Sequence, residues 1–284
     1  MNAMKKKQFP NYLSVCVIAK DEARYFPEWI EYHKMMGVDK FYVYDNESSD
    51  GTYEVLKPYI DSGLVEYRFF PGKKRQLPAY IDCVRRHKYD SKYIAFIDMD
   101  EFIVPIKHKT IPEFLESVAG DLRAPELSGV EINWLIYGSG GHEKRIKGLA
   151  IEQFRDHSLP DYSENRTVKT IANPRKIWTS LWRFGSTHKP VIISGRYVDS
   201  HGNKISGVKT DYWKRPPQHD VIRVNHYAIR SKEEFMDRIK RGDARFGDAQ
   251  ARTMNKLKLW DKNDIKGDKT MEPHAKRLRK IINS

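Results

Sequence analysis

Short apolar segments alternate with amphipathic ones along the first hundred residues. Runs rich in β-branched and aromatic residues, typical of buried strands, span 12–18, 40–44, 64–70 and 93–97. Segments with the apolar spacing of helices lie between them at 26–36, 53–60 and 76–88. Because parallel strands need a crossover connection, usually a helix, this alternation predicts an α/β fold. We expect a mostly parallel, Rossmann-like sheet with helices on both faces.

The alternation is lost after residue 105. Further elements are predicted there: helices at 112–118 and from Ser231 onwards, and strands at 129–138, 176–198 and 218–227. Residues 143–175 are polar with little periodicity, which predicts surface loops or a mobile lid. No segment has the composition of a linker between domains. We therefore predict a single domain with two halves, 1–105 and 106–245, and a basic C-terminal extension, 246–284.

The net charge indicates the kind of partner. The chain carries 51 Lys and Arg residues against 38 Asp and Glu residues, a formal charge of +13. Such a surplus favours nucleotides, phospholipid head groups, phosphorylated sugars or nucleic acid, without choosing among them. The tail at 274–284 is basic and amphipathic. It fits either a helix that contacts an anionic membrane or an ordinary helix packed on the domain.

Cysteine usage and the apolar runs indicate the compartment. Cys16 and Cys83 lie in apolar patterns and provide neither a disulfide framework nor a zinc-site spacing. The N-terminal segment lacks the continuous apolar run of a signal peptide, and no stretch has the roughly 20 apolar residues that span a bilayer. We expect a soluble cytoplasmic protein with a peripheral contact at the inner face of the membrane.

Three acidic residues follow the last of the four predicted strands. In YIAFIDMDEFI (93–103), Asp98, Asp100 and Glu101 come directly after the apolar run. Charged groups are costly to bury unless they are paired or bind a metal. Alternate residues of an extended chain point the same way, so Asp98 and Asp100 can present two carboxylates to Mg²⁺ or Mn²⁺ held with a substrate diphosphate. A solvated acidic loop is the alternative.

Polar residues also follow the first two predicted strands. Lys20, Asp21 and Glu22 come after the first strand, and Asp45 begins the segment DNESSDG after the second. Ligands of open parallel sheets bind outside the carboxyl ends of the strands. The three strand ends therefore predict one crevice, in which a nucleoside lies over the first two and its diphosphate meets a metal at the third. For Asp45, a simple turn is the alternative.

Other protein classes fit these acids less well. Phosphatases of the haloacid dehalogenase type need Thr or Val four residues after the first Asp, where this chain has Phe102. Nucleotidyltransferases usually carry a Gly-rich loop after the first strand, but KDEAR (20–24) has no glycine. Nucleic-acid-binding domains interleave basic residues with exposed aromatics, whereas the aromatics here mostly fall in apolar periods. Nucleotidyltransferases and nucleic-acid-binding domains are kept as alternatives, and so is a glycan-binding protein without catalytic activity. We expect no nucleic-acid partner.

Several segments together resemble glycosyltransferase family 92 and its bacterial family-2-like relatives. They are VIAKDEARYFPEWIEYHKMMGVDKFYVYDNESSDGT (17–52), QLPAYIDC (76–83), FIDMDEF (96–102) and VNHYAIRSKEEFMDRIKRGD (224–243). The resemblance covers most of residues 13–245. It implies a GT-A fold, a nucleotide-sugar donor (typically a UDP-sugar) and inverting hexosyl transfer aided by Mn²⁺ or Mg²⁺. The acceptor would be a surface glycan or a lipid-linked saccharide.

The resemblance also assigns residues to roles. Asp98 and Asp100 would be the D-x-D metal pair, and His226 would be a later ligand of the metal or the diphosphate. Asp45 would contact the nucleoside, with 1–105 as the nucleotide-binding half and 106–245 as the acceptor-binding and closing half. From the residues alone, His226 fits a Mn²⁺ ligand and a buried core histidine equally well. Gln76 either contacts the donor sugar or starts a helix.

The catalytic base is the least determined group. Inverting transfer needs a carboxylate that takes the proton of the acceptor hydroxyl. The candidates are Glu131, Glu143, Asp156 and Glu164, and Glu131 is preferred because it lies on a predicted strand near Trp134. Candidate partners of the diphosphate are Lys73, Lys74, Arg75, Arg183, His188 and Lys189. Ordinary solvated polar loops are the alternative for these cations.

Overall fold

One sheet of nine strands forms the centre of the computed structural model, which describes residues 9–120, 125–180, 185–205, 215–242 and 254–282. The strands are β1 (Asn11–Ala19), β2 (Lys40–Asp45), β3 (Val65–Phe69), β4 (Ser91–Phe96), β5 (Glu101–Pro105), β6 (Leu127–Ile136), β7 (Val168–Ala172), β8 (Arg196–Val198) and β9 (Ile222–His226). Their order is β3-β2-β1-β4-β7-β6-β9-β5, and β8 pairs with β6. Five of these pairings are parallel and three are antiparallel, so the sheet is mostly parallel.

Helices cover both faces of the sheet. They are α1 (Phe26–Met35), α2 (Thr52–Asp61), α3 (Gln76–His87), α4 (Ile111–Ala119), α5 (Ala150–Gln153), α6 (Lys232–Arg241), α7 (Met254–Trp260) and α8 (Glu272–Ile282). Successive residues of β1 point to opposite sides. Val15 and Val17 therefore pack in one core with Trp29 of α1, whereas Cys16 and Ile18 pack in a second core with α3. The predicted α/β fold is confirmed.

The first four strands place the predicted site at one edge. Strands β2 and β4 both run parallel to β1. Asp45 is the last residue of β2 and Asp98 follows β4, so both lie at the carboxyl edge of the sheet. This arrangement, continued by β7 and β6, confirms the predicted GT-A fold. The two predicted halves share the sheet, because β4 pairs with β7 and β5 pairs with β9.

The prediction of loops or a lid throughout 143–175 is wrong. Its last part forms β7, which is buried and runs antiparallel between β4 and β6. The polar residues that hid this strand have partners inside the protein. Lys169 is paired with Asp98, and the hydroxyl of Thr170 donates to the carbonyl of His188 at 2.9 Å. A buried strand whose polar side chains are hydrogen-bonded in the interior does not show the apolar periodicity on which the prediction was based.

The prediction of a strand at 176–198 is also wrong for most of that segment. In its described part, only β8 at its end is a strand, and the remainder carries isolated bridges. Gly185 has a φ of 99°, and a Cβ there would lie 2.5 Å from the carbonyl oxygen of Lys189. This left-handed turn is incompatible with an extended strand. Residues 181–184 lie outside the described ranges.

The C-terminal helix α8 packs on the domain. Ala275 and Leu278 are buried in the core that includes α1. Arg279 forms an ion pair of 2.7 Å with Glu152 of α5. The packed-helix alternative is therefore confirmed, while membrane contact stays a prediction. None of the helices in the five described ranges is both long enough and apolar enough to cross a bilayer.

The packing of α8 predicts a difference between two of its apolar residues. Leu278→Ala should lower the free energy of unfolding by about 2–5 kcal/mol, because it leaves a cavity in a fully buried site. Ile282→Ala, at a side chain that is 39% exposed, is the matched control and should change it by less than about 0.5 kcal/mol. Chemical denaturation measures both values. Equal effects in the two variants would contradict the packing of α8 on α1.

Candidate functional site

A cavity of about 560 Å³ opens at the carboxyl edge of the parallel strands. Residues that follow β1, β2 and β4 form one group of its lining, and residues from α6 and α7 form another. Of the predicted donor-binding and metal residues, those that line the cavity are Lys20, Glu22, Gln76, Asp98, Asp100 and His226. The cavity thus lies at the position expected for a ligand of an open parallel sheet.

Asp98 is held by donors from two elements. Gln76 Nε2 and Tyr80 OH, one turn apart on α3, donate to its Oδ1 at 2.7 and 3.3 Å. Lys169 Nζ, from β7, donates to its Oδ2 at 2.7 Å. These bonds fix the orientation of the carboxylate at the cavity. Both oxygens of Asp98 thus accept from protein donors, and a metal ion at Asp98 would compete with them, whereas Asp100 Oδ1 faces the imidazole of His226.

Lys169 bridges two carboxylates in the interior. It is 1% exposed, and its Nζ also lies 3.3 Å from Glu101 Oε2. The same oxygen of Glu101 accepts the backbone N–H of Asp98 at 2.9 Å. Burial raises the pKa of Glu101 to about 8, although attraction to Lys169 opposes this shift. The Lys169 pairing therefore stabilises the acidic turn that carries Asp98 and Asp100.

Asp100 and His226 lie close together in the cavity. The pairing of β5 with β9 sets Glu101 opposite His226, which brings the imidazole beside the acidic turn. Asp100 Oδ1 lies 3.8 Å from His226 Nε2, and Oδ2 accepts a hydrogen bond of 2.8 Å from Arg238. A carboxylate oxygen and an imidazole nitrogen are donors that Mn²⁺ accepts. This pair fits a divalent cation.

The pair alone does not complete a coordination shell. In the described ranges, no group of three or more His, Cys, Asp or Glu side chains is arranged to hold a metal ion. Magnesium-type sites commonly use one or two carboxylates and complete the shell with substrate phosphates and water. The donor set at Asp100 and His226 therefore suits a metal that is bound together with a phosphate ligand.

Three arginines surround the buried Glu22. Arg230 and Arg241 each donate to its carboxylate at 2.9 Å, and Arg238 lies 3.8 Å from it. The Arg230 guanidinium lies 3.4 Å from the centre of the Tyr25 ring. Burial acts to raise the pKa of Glu22, but attraction to the three guanidinium groups outweighs it and lowers the pKa to about 2. Glu22 is therefore ionised at neutral pH and orients the arginines.

Aromatic rings line the cavity next to the Asp100–His226 pair. The Trp134 ring lies 4.0 Å from the His226 ring and 5.3 Å from the His188 ring, measured between centroids. Trp260, from α7, lies edge-on to Trp134 at 6.5 Å. Mixed aromatic and polar linings of this kind are typical of pockets for small organic ligands. The arrangement supplies apolar faces beside a polar, charged region.

Comparison of the sequence with protein-family models identifies the family of the chain. Residues 11–257 match the model of glycosyltransferase family 92. The chain belongs to this family. The resemblance identified in the sequence segments is thereby confirmed, and the match includes α6 and the first part of α7 but ends before Trp260.

Several curated proteins are similar to this family 92 chain. The β-1,4-galactosyltransferase galt-1 of Caenorhabditis elegans is 33% identical over 210 residues, which cover 68% of this chain and 46% of that protein. A family 92 protein of Oryza sativa subsp. japonica is 33% identical over 116 residues, 40% of this chain and 20% of that protein. Galactan β-1,4-galactosyltransferase GALS3 of Arabidopsis thaliana is 33% identical over 102 residues, 32% and 20% of the two chains. The matched part is less than half of each relative.

The solved structures to which the chain is similar are more distant. S. aureus TarS has 13% sequence identity and a TM-score of 0.37, with 57% of this chain and 47% of that chain covered. Glucosyl-3-phosphoglycerate synthase of Mycobacterium tuberculosis, solved with Mn²⁺, UDP and glucosyl-3-phosphoglycerate, has 22% identity and a TM-score of 0.29, with 44% of each chain covered. The GT-A description of the family 92 chain therefore depends on its own strand order.

Two predicted donor-binding residues lie at the right edge but outside the cavity lining. Asp45 accepts hydrogen bonds from Tyr67 OH at 2.6 Å and from the backbone N–H of Ser48 at 3.0 Å. Its carboxylate therefore shapes the turn after β2, while the next residue, Asn46, lines the cavity. Asp21 also bonds within this turn region. Their positions support a role in shaping the loops rather than direct contact with the donor.

Glu131, the preferred base candidate, lies away from the cavity. It is 3% exposed, and its carboxylate pairs with Lys189 at 2.6 Å and Arg215 at 3.0 Å. Trp134, three positions further along β6, does line the cavity. Residues an odd number of positions apart on a strand point to opposite faces, so Glu131 is directed to the other side. Its position does not support the predicted role as base.

The other candidates for base and phosphate contacts are also mostly engaged elsewhere. Glu143 pairs with Lys232, Asp156 pairs with Lys266, and Glu164 accepts a weak hydrogen bond from Trp260. Of the candidate phosphate partners, Lys73 and His188 line the cavity. Lys189 pairs with Glu131, and Arg75 lies over the Phe70 ring. Arg183 lies outside the described residues.

Several residues of the site were not anticipated from the sequence, among them Lys169, Arg238, Arg241 and Trp260. A single lysine between apolar residues in VKTIA (168–172) is a signal of a buried cation, because lysine is seldom buried unless paired. Arg238 and Arg241 are three positions apart and so share a helix side, but charged residues on a helix are usually solvated. Their partners are remote in sequence, which leaves no local signal.

The Lys169 pairing predicts a large stability effect. Lys169→Met should lower the free energy of unfolding by about 3–5 kcal/mol, because it leaves buried carboxylates without their cation at nearly constant volume. Lys57→Met is the matched control, since Lys57 forms an exposed helix pair with Asp61, and it should have little effect. Urea denaturation compares the two. Similar small effects in both variants would show that Lys169 is not a buried counter-ion.

Proposed function

We propose that this family 92 chain transfers a sugar from a UDP-sugar to a glycan or lipid-linked saccharide acceptor, with inversion and with a divalent cation. The observation that carries the proposal is the Asp100–His226 pair inside a cavity that also contains cationic and aromatic side chains. Membership of family 92 and similarity to proteins named β-1,4-galactosyltransferases support sugar transfer. Galactose is accordingly the first sugar to test.

In this proposal, Asp100 and His226 hold Mn²⁺ or Mg²⁺. When bound, such an ion would compensate the negative charge that develops on the leaving nucleoside diphosphate. Asp98 stays bound to Gln76 and Lys169 and presents a fixed acceptor to the donor. A carboxylate oriented by three protein donors can accept hydrogen bonds from ligand hydroxyl groups without reorganising, which favours a preorganised site.

The donor and acceptor would occupy different parts of the cavity. Lys20 and Asn46, after β1 and β2, lie where a nucleoside meets the strand ends. Trp134 and Trp260 lie beside the metal pair, and their ring faces suit the apolar side of a sugar. Because the four predicted base candidates are directed away from the cavity or bound to other residues, the proposal assigns the base role to none of them.

The activity test uses nucleotide sugars with Mn²⁺ and measures release of the nucleoside diphosphate. Wild type should release UDP from one UDP-sugar, and UDP-galactose is the first choice. Asp100→Asn keeps the size of the side chain and an acceptor for Arg238 but removes the charged metal ligand, so release should fall at least about a hundredfold. The matched control Asp61→Asn changes an exposed aspartate of α2 and should keep full activity.

Thermal unfolding separates metal binding from other effects of the substitution. UDP with Mn²⁺ should stabilise wild type by about 2.7 kcal/mol at a hundredfold excess over Kd, and UDP with a chelator by much less. In Asp100→Asn the metal-dependent part should be absent. Equal stabilisation with and without metal, together with unchanged activity of Asp100→Asn, would refute the metal role of Asp100.

We further infer that the protein acts in the cytoplasm at an anionic membrane surface. The charge of +13 and the exposed cations of α8, among them Lys276 and Lys280, support this inference. Each cation near an anionic surface contributes about 1 kcal/mol. Lys276→Glu combined with Lys280→Glu should therefore weaken co-sedimentation with phosphatidylserine vesicles and leave UDP-sugar hydrolysis unchanged. Vesicle binding equal to wild type would refute the contact through α8.

A further inference from the structure

Helix α6 directs two arginines into the cavity. Its first turn is fixed by a capping box, in which Ser231 accepts the backbone N–H of Glu234 and the Glu234 carboxylate accepts the N–H of Ser231. Arg238 and Arg241 lie three positions apart and therefore on one side of the helix. Both line the cavity. Lys240, on the same helix, is 76% exposed and does not.

Arg238 has a buried donor without an acceptor in the described ranges. Its NH1 donates to Asp100 Oδ2 at 2.8 Å and to the carbonyl of Ala228 at 3.1 Å. Its NH2 has no hydrogen-bond acceptor among the described residues, although Arg238 is only 5% exposed. A buried polar group without a partner is costly, and guanidinium nitrogens pair well with phosphate oxygens. The NH2 atom is enclosed in this structure, but Arg238 lines the cavity, so a rotation of its guanidinium would bring NH2 to a phosphate ligand there.

Arg241 offers a second donor beside it. Its NH2 and NH1 bond to Glu22 Oε1 and to the carbonyl of Asp21, each at 2.9 Å, while its Nε has no acceptor in the same described ranges. Its side chain is 20% exposed, so it reaches the open part of the cavity. Glu22 holds Arg241 directly and lies 3.8 Å from Arg238. One carboxylate thus orients both guanidinium groups.

The charge of this region also favours an anion. The guanidinium groups of Arg230, Arg238 and Arg241 are paired, among the described residues, with the carboxylates of Glu22 and Asp100, and Glu234 also attracts Arg238. A divalent cation at Asp100 and His226 would add further positive charge next to it. Opposite charges attract strongly in a site shielded from water. A ligand with two or three negative charges would balance the region.

We propose that Arg238 and Arg241 bind the diphosphate of the nucleotide donor, with Glu22 as the positioning residue that orients them. This inference rests on the proposed function, because it takes the nucleoside diphosphate as the ligand. The two arginines lie on α6, outside the D-x-D segment, and so form a separate part of the donor site. Arg238 contacts both Asp100 and the diphosphate, so it links the metal ligand to the phosphate that the metal also binds.

The experiment compares UDP with uridine, because only UDP carries the phosphates. Isothermal titration calorimetry measures both affinities in Mn²⁺ and in EDTA for wild type, Arg238→Met, Arg241→Met and the matched control Lys240→Met. Each arginine variant should bind UDP about ten- to a hundredfold more weakly and uridine within about twofold of wild type. The loss should persist in EDTA, since the arginines contact phosphate themselves. Lys240→Met should bind both ligands like wild type.

Different outcomes overturn the inference in recognisable ways. Unchanged UDP affinity in Arg241→Met, or an equal loss for UDP and uridine, would assign α6 a structural role only. A loss seen only with Mn²⁺ would show that the arginines act through the Asp100 metal site. If Arg238→Met does not fold because Asp100 loses its partner, the more exposed Arg241→Met decides the question. Failure of the proposed function itself is distinct, because wild type would then bind no UDP.

Discussion

Burial of the acids after β4 is the constraint on which the rest of the site depends. Asp98, Asp100 and Glu101 occupy four consecutive positions with Met99, and only Asp98 is more than slightly exposed. Such a concentration of acidic side chains is tolerable in the interior only with cations and hydrogen-bond donors nearby. Lys169 from β7 and Arg238 from α6 supply them. The acids thereby fix the positions of two elements that are remote in sequence.

Because the acids are paired with residues remote in sequence, only part of the fold could be predicted from local sequence patterns. The parallel strands and the shared edge of Asp45 and Asp98 follow from local apolar periodicity, which needs no knowledge of distant contacts. Strand β7 was not anticipated because Lys169 and Thr170 look like surface residues. Their partners become visible only when β4 and β6 lie on either side of them. Polar residues satisfied by long-range contacts are outside the reach of pattern analysis.

Some residues of the candidate site could likewise be predicted from the sequence, and others could not. Asp100 and His226 were predicted from a motif and from family resemblance, and the pairing of β5 with β9 brings them together. Glu131 was chosen for its place on a strand, but the direction of its side chain depends on the register of β6, which a short apolar run does not specify. Arg238 and Trp260 come from helices whose approach to the sheet is a tertiary feature. The residues at the sheet edge could therefore be predicted from the sequence, whereas those contributed by α6 and α7 could not.

We propose that Asp100 and His226, rather than Asp98, bind the metal that accompanies the diphosphate. A crystal structure with UDP and Mn²⁺ tests it most directly, since the anomalous signal of manganese locates the ion. We expect manganese bonded to Asp100 and His226 and to diphosphate oxygens, at roughly 2.0–2.3 Å, with Asp98 still bonded to Lys169. Manganese coordinated by Asp98 with the Lys169 bond broken, or no manganese between Asp100 and His226, would contradict it.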